Sequence, residues 1–173
     1  KGFDIFSKAI VKILNKYSDW KAFIAGDEPR EKISVTHKNL INLGFQNHNK
    51  ILNLFEKSSI AVACSRWQEP FGRTSLEASS RGCAVIISNR GGLPETITDG
   101  VILRKLNVDT LYKSIQKLLI NKNHLKELQK NSYKNFYLTD SYISKKIDDY
   151  RNDILNSKVK INLKNNKVDK LKI

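Results

Sequence analysis

Apolar positions along the chain alternate between two spacings. Phe3, Phe6, Ile10, Ile13, Leu14 and Tyr17 fall on one face of a 3.6-residue period, which predicts an amphipathic helix over residues 3–17. Residues 20–25 form a short apolar run closed by the turn signal Gly26-Asp27-Glu28-Pro29, a strand running into a loop. The polar stretch 30–38 reads as a loop or short helix, and 40–43 as a second short strand ended by Gly44. Ile51, Leu52 and Phe55 mark the inward face of a helix over 49–57. Residues 59–64 are apolar throughout, as a strand buried on both faces would be. A loop, 65–72, leads into a helix rich in small residues, 73–81, with Gly82 as its stop. Residues 83–87 read as a fourth strand, Asn89-Arg90-Gly91-Gly92 as a tight turn, Pro94 as the opening of a short helical segment, and 101–103 as a last strand. Three amphipathic helices follow: one through Leu111, Ile115, Leu118 and Leu119, then 125–136 and 142–155. Beyond Asn156 the chain is Lys/Asn-rich, a loosely held tail or an edge strand through Val159, Ile161 and Leu163.

Strands that alternate with helices and are apolar on both faces predict an α/β fold: a Rossmann-like, doubly wound parallel sheet with helices on both faces. Residues 1–155 are expected to form this domain and 156–173 the tail. Ligands of such sheets bind beyond the carboxyl ends of the strands. The loops after Ala25, Leu43, Cys64 and Ile87 are therefore expected to line one crevice.

Composition narrows the classes. At 173 residues and 40% hydrophobic, the chain suffices for one core. No apolar run is long enough for a transmembrane helix, and residues 1–17 lack the features of a signal peptide. The two cysteines, Cys64 and Cys83, lie in apolar strand-like surroundings and read as buried thiols, with no metal site and no disulfide framework. That fits a reducing, cytoplasmic compartment. The formal net charge of +14 is spread along the chain among many Asn and Ile, a pattern that biased codon usage produces. Peripheral contact with an anionic membrane ranks behind that explanation. Nucleic acid ranks last, because no recognition helix or stacking aromatics appear. The chain has no Met, even at position 1, so a start in mid-protein is expected.

The chemistry concentrates in Glu69-Pro70-Phe71-Gly72-Arg73-Thr74-Ser75-Leu76-Glu77. The helix opens near Gly72, so the amides of Gly72, Arg73 and Thr74 are unpaired first-turn donors that suit an anion. Gly72 lets a phosphate approach the backbone and Arg73 adds charge. Glu77, three or four residues on, shares their helix face and can accept two hydroxyl hydrogen bonds, as from a ribose. Glu69, on the other side of the phosphate, can reach a second polyol. Two arbitrary glutamates at this spacing would be surface carboxylates. The Pro-Phe-Gly between them and the small-residue helix behind them argue for a site.

This segment resembles the Glu-x7-Glu signature of retaining GT-B glycosyltransferases, in particular the large family four. Gly82-Cys83-Ala84-Val85-Ile86 and Gly91-Gly92-Leu93-Pro94-Glu95-Thr96-Ile97 resemble its continuation. Lys1-Gly2 resembles the Lys-Gly that opens the first helix of its C-terminal domain, Ala25-Gly26-Asp27 a turn and Leu43-Gly44-Phe45 a strand end. The resemblance covers about residues 1–150. It implies the donor-binding, C-terminal half of a GT-B fold, acting on a nucleotide-diphosphate sugar with retention of configuration. Glu69 would be the catalytic-site residue, contacting donor-sugar hydroxyls near the reacting carbon without acting as a nucleophile. Main-chain amides at Arg73 and Thr74, next to Phe71 and Gly72, would hold the distal phosphate. Glu77 would bind the ribose, Lys1 would neutralise the diphosphate, and Phe45 would pack on the base. Similar enzymes use no metal and no other cofactor, so Lys and helix amides must carry the leaving charge.

Some positions depart from the pattern. Arg73 stands where the family usually has an aliphatic residue, and Cys83-Ala84 replaces a small residue followed by proline. The loop at Asp99-Gly100-Val101 is short. The strand that precedes Lys-Gly in the family has no counterpart here. Its place would lie between strands 22–25 and 60–64, so either a separate piece supplies it or the sheet closes up without it. The acceptor-binding N-terminal domain is absent as well, so the chain is expected to be inactive alone, with that domain as its partner. His37, His48 and His124 read as ordinary loop or surface histidines. A non-catalytic nucleotide-binding module of the same fold is the alternative, and a basic membrane-surface domain a third.

Overall fold

In a computed structural model that describes residues 2–26 and 35–156, every element that the hydrophobic pattern predicts within those residues is present, with ends shifted by one to a few residues. The order is α1 (Phe3–Lys16), β1 (Ala22–Ile24), β2 (Leu40–Asn42), α2 (His48–Glu56), β3 (Ile60–Ala63), α3 (Arg73–Ser80), β4 (Ala84–Ser88), a 3-10 helix (Leu93–Thr96), β5 (Gly100–Leu103), α4 (Val108–Ile120), α5 (Lys122–Lys134) and α6 (Asp140–Asn156). Lys1, most of the turn at 26–29 and the tail beyond 156 lie outside the described residues.

Side-chain caps set several helix starts. Asn47, Asn107 and Asn121 each accept a hydrogen bond from the backbone N–H three residues on, opening α2, α4 and α5. Part of the chain's asparagine content therefore has a structural use. Gly82 ends α3 in a left-handed conformation, φ +76°, as its position in the sequence suggests.

The core is built around β4. All five of its residues are buried, and its side chains alternate between two clusters. Ala84 and Ile86 point to the α1 and α4 side, where they meet Ile10, Ile13, Leu14, Leu111 and Leu118. Val85 and Ile87 point the other way, with Ala61, Ala78 and Leu93. Helices thus cover both faces of a parallel sheet. Each of the fully buried aliphatics contributes about 1.5–3 kcal/mol of transfer free energy.

The pairing is parallel throughout but falls into two sheets. β1 pairs with β2, in the register Ala22↔Leu40, and β3-β4-β5 form the other, with Ile60↔Ala84 and Val85↔Gly100. β1 and β3 do not pair. A cavity of about 910 Å³ lies where they would meet, lined by Ala22 and Phe23 on one side and by Ile60, Ala61, Val62 and Ala63 on the other. Phe6, Ile10, Ile13 and Leu14 of α1 also line it. Of the two outcomes expected for this region, the sheet does not close up.

The chain divides into two compact units, residues 1–138 and 139–173. Helix α6 lies in the second unit. It buries no side chain. No described helix is long and apolar enough to cross a membrane.

Candidate functional site

Loop 65–72 leaves the carboxyl end of β3 and is tied down at three points. The buried Ser65 N–H donates to Ser88 Oγ, and Ser88 Oγ donates back to Ser65 O, both at 2.8 Å, which fastens the exit of β3 to the end of β4. Arg66 pairs with Asp4 at the start of α1. The hydrogen bond and charge of the guanidinium hold the Asp4 carboxyl below its ordinary range. Further along, Gly92 N–H donates to Glu69 O at 2.8 Å and Gly91 N–H to Gln68 Oε1 at 2.6 Å.

That third tie explains the double glycine. A Cβ on Gly91, which has φ +54°, would come within 2.2 Å of Glu69 O, and one on Gly92 within 2.6 Å of Pro70 O. The backbone at Glu69 rests directly on the backbone of the next strand-end turn, leaving no room for a side chain between them.

The chain then turns into α3 through Gly72, at φ +107° and ψ 64°. A Cβ there would meet Leu93 Cδ2 at 2.5 Å. Gly72 is therefore required by the turn itself. No side chain caps α3, and the amides of Arg73 and Thr74 have no acceptor among the described residues. The helix start is pegged from behind by two fully buried hydroxyls, Ser75 Oγ and Thr96 Oγ1, 2.6 Å apart. Ser75 Oγ also lies 2.8 Å from Gly72 O, and Thr96 Oγ1 2.7 Å from Leu93 O. Each hydroxyl carries one proton, so at most two of these three contacts are hydrogen bonds at once, and the close pair of hydroxyls packs the start of α3 against the 3-10 helix behind it.

Glu77 lies one turn into α3, with its side chain only 18% exposed. Its Oε1 receives both Arg73 at 3.3 Å and His48 Nε2 at 3.1 Å. Its Oε2 has no partner among the described residues. The Arg73 side chain is 76% exposed, so it adds little beyond this i,i+4 pair. His48, read from sequence as an ordinary surface histidine, is the first residue of α2 and reaches Glu77 from across the site. No local pattern announces a contact between residues 29 apart. His37 and His124 match their reading: one accepts locally from Asn39 N–H, the other lies 3.7 Å from Glu127.

The loop before α2 is held by Gly26 N–H donating to Gly44 O at 2.8 Å and by Gln46 Nε2 donating to Leu43 O at 2.6 Å. It leaves Phe45 81% exposed. Phe45, His48, Arg73, Thr74 and Glu77 line the same cavity. Glu69, Phe71 and Gly72 do not line it; they form the braced loop leading into α3. The expected crevice is thus lined by the loops after β1 and β2 and by α3, while the loops after β3 and β4 pack on each other. The Glu69 carboxylate makes no hydrogen bond or ion pair with a described residue, and Phe71 is 38% exposed. Lys1 lies outside the described residues.

Cys64 and Cys83 are free, and burial pushes both thiols up to about 12. Few thiolates exist near neutrality, which suits packing rather than chemistry. Among the described residues no three His, Cys, Asp or Glu side chains are grouped to hold a metal ion.

This parallel α/β fold is that of the C-terminal domains of GT-B glycosyltransferases. The chain belongs to the glycosyl transferases group 1 family, whose model matches residues 1–135. It is 29% identical over 148 residues to an uncharacterized glycosyltransferase of Methanocaldococcus jannaschii, a match covering 79% of this chain and 37% of that protein. The crystal structure of the C-terminal domain of a group 1 glycosyl transferase from Francisella tularensis, LpcC, superposes with a TM-score of 0.68 at 28% identity, covering 78% of this chain and 76% of that one. HepE of Anabaena, crystallised with UDP-glucose, shares the fold at a TM-score of 0.64 and 19% identity, over 88% of this chain and 45% of that one. The chain spans less than half the length of the curated relatives that it matches.

Proposed function

We propose that this chain is the donor-binding part of a glycosyltransferase that transfers a sugar from a nucleotide-diphosphate sugar with retention of configuration. The observation that carries the reading is the pairing of an uncapped helix start with a carboxylate whose second oxygen has no partner among the described residues. The distal phosphate takes the amides of Arg73 and Thr74, aided by the positive end of α3. The ribose hydroxyls take Glu77, and the base packs on the exposed ring of Phe45. Glu69, with its carboxylate unengaged, contacts donor-sugar hydroxyls near the reacting carbon, while Lys1 neutralises the diphosphate. The leaving charge is carried by these amides and cations without a metal.

The acceptor is bound by an N-terminal domain outside this chain, and an upstream strand fills the space between β1 and β3. Two facts support this: the short span relative to curated relatives, and the cavity between two unpaired strand edges. Transfer accordingly requires those parts, whereas nucleotide binding requires only this site.

The test is titration of the 173-residue chain with UDP, GDP and ADP and with their sugars by calorimetry. One nucleotide is expected to bind, and Glu77→Ala is expected to weaken it by about 1.5–3 kcal/mol, since the variant removes hydrogen bonds to a charged acceptor. Absence of binding by all three, or an unchanged affinity in the variant, removes the reading.

A further inference from the structure

We propose that His48 is a positioning residue for the nucleoside: it fixes the Glu77 carboxylate so that Oε2 is presented to the ribose hydroxyls. The inference rests on the donor-site reading of Glu77 and adds to it a residue from a separate element. The geometry is specific. His48 Nε2 and Arg73 both address Oε1, at 3.1 and 3.3 Å, and neither addresses Oε2. A carboxylate can take hydroxyls on either oxygen and can rotate about its last bond, so an unheld Glu77 would offer the ribose several orientations. Two donors on one oxygen remove that freedom before a ligand arrives.

The two donors are unequal. The Arg73 side chain is long, 76% exposed and comes from the same helix, one turn away. His48 has a short side chain at the first residue of α2, fixed there by Asn47, whose side chain accepts from Lys50 N–H at 2.9 Å. It is therefore the more rigid holder. The contact also dictates a tautomer. Nε2 must carry the proton to donate to a carboxylate, so in the neutral ring Nδ1 is the acceptor. Because α2 begins just after the Phe45 loop, the same residue couples the ring expected under the base to the carboxylate expected under the ribose. A purely structural tie between α2 and α3 would stabilise the fold without distinguishing one ligand from another.

The experiment uses the full chain and the tightest-binding of UDP, GDP and ADP, together with its 2′-deoxy analogue and inorganic pyrophosphate. His48→Ala is expected to raise the Kd of the ribonucleotide about five- to tenfold, leaving the 2′-deoxy analogue within about twofold and pyrophosphate unchanged. His48→Gln, which can still donate toward Oε1, is expected to return the ribonucleotide to within about twofold of the parent. Circular dichroism and thermal melting without ligand check that each variant is folded. An equal loss for all three ligands, or no loss for the ribonucleotide, overturns the proposal. Glu77→Ala separates the two ideas. If that variant loses ribonucleotide affinity while His48→Ala does not, only the role of His48 falls; if Glu77→Ala is silent, the donor-site reading and the role of His48 fall together.

Discussion

The two sheets are built from similar apolar strands and end up in different states. β4 buries all five residues, with Val85, Ile86 and Ile87 at 0% exposure. In β1–β2, Phe23 and Ile41 remain 41% and 36% exposed, and Ala22 is the one residue of either strand that is buried. The difference comes from neighbours. β4 has a strand on each side and helices on both faces, whereas the β1–β2 pair borders the cavity next to β3. The site draws on both sheets. The braced Glu69 loop and the start of α3 hang from the three-stranded sheet, while Phe45 and His48 follow β2. The phosphate end of a donor would therefore meet the more firmly anchored half, and the nucleoside end the less anchored one.

The largest expected contrast is in stability. Ile86→Ala removes a side chain from the centre of the core and is expected to cost about 2–5 kcal/mol. Ile41→Ala, the same chemical change on the two-stranded sheet, is expected to cost less than about 1 kcal/mol. Urea unfolding followed by far-ultraviolet circular dichroism measures both. Equal costs would mean that β1–β2 is as well packed as β4, and the comparison would fail.

Gly72→Ala is expected to cost about 1–3 kcal/mol, because an L side chain at φ +107° is strained and its Cβ also meets Leu93. Adding Leu93→Ala relieves the clash but not the strain. A double variant no less stable than Leu93→Ala alone would show that the backbone conformation was never the constraint.

The sequence carried the elements well, because each is a local pattern: the helix periods, the Asn and Gly punctuation, and the apolar runs of β3 and β4. It singled out part of the candidate site. Glu69, Gly72 and Glu77 are legible because they crowd into one strand–loop–helix passage, where the chemistry of helix starts applies directly. What it did not carry depends on contacts between distant residues. Nothing around His48 says that it reaches Glu77, and nothing at Gly91-Gly92 says that their missing side chains make room for the backbone at Glu69 and Pro70. Strand apolarity likewise predicts β1 and β4 alike. Only the strand order shows that one is central and the other borders a gap.

The smallest expected effect separates side chain from backbone at Arg73, at the foot of the better-anchored half. Its side chain is 76% exposed and its ion pair with Glu77 is an i,i+4 surface pair, worth about 0.3–0.5 kcal/mol. Arg73→Leu is therefore expected to change stability by less than about 0.5 kcal/mol and pyrophosphate affinity by less than about threefold. Arg73→Pro is different. Proline is tolerated at the first position of a helix, where its fixed φ fits and no N–H is owed to the helix, yet it deletes the amide itself. That variant is expected to keep the fold and lose pyrophosphate affinity by about tenfold, the cost of one hydrogen bond to an anion. Calorimetry with pyrophosphate on the two variants decides the matter. A large loss with leucine and none with proline would place anion recognition on the guanidinium and remove the amides of α3 from the site.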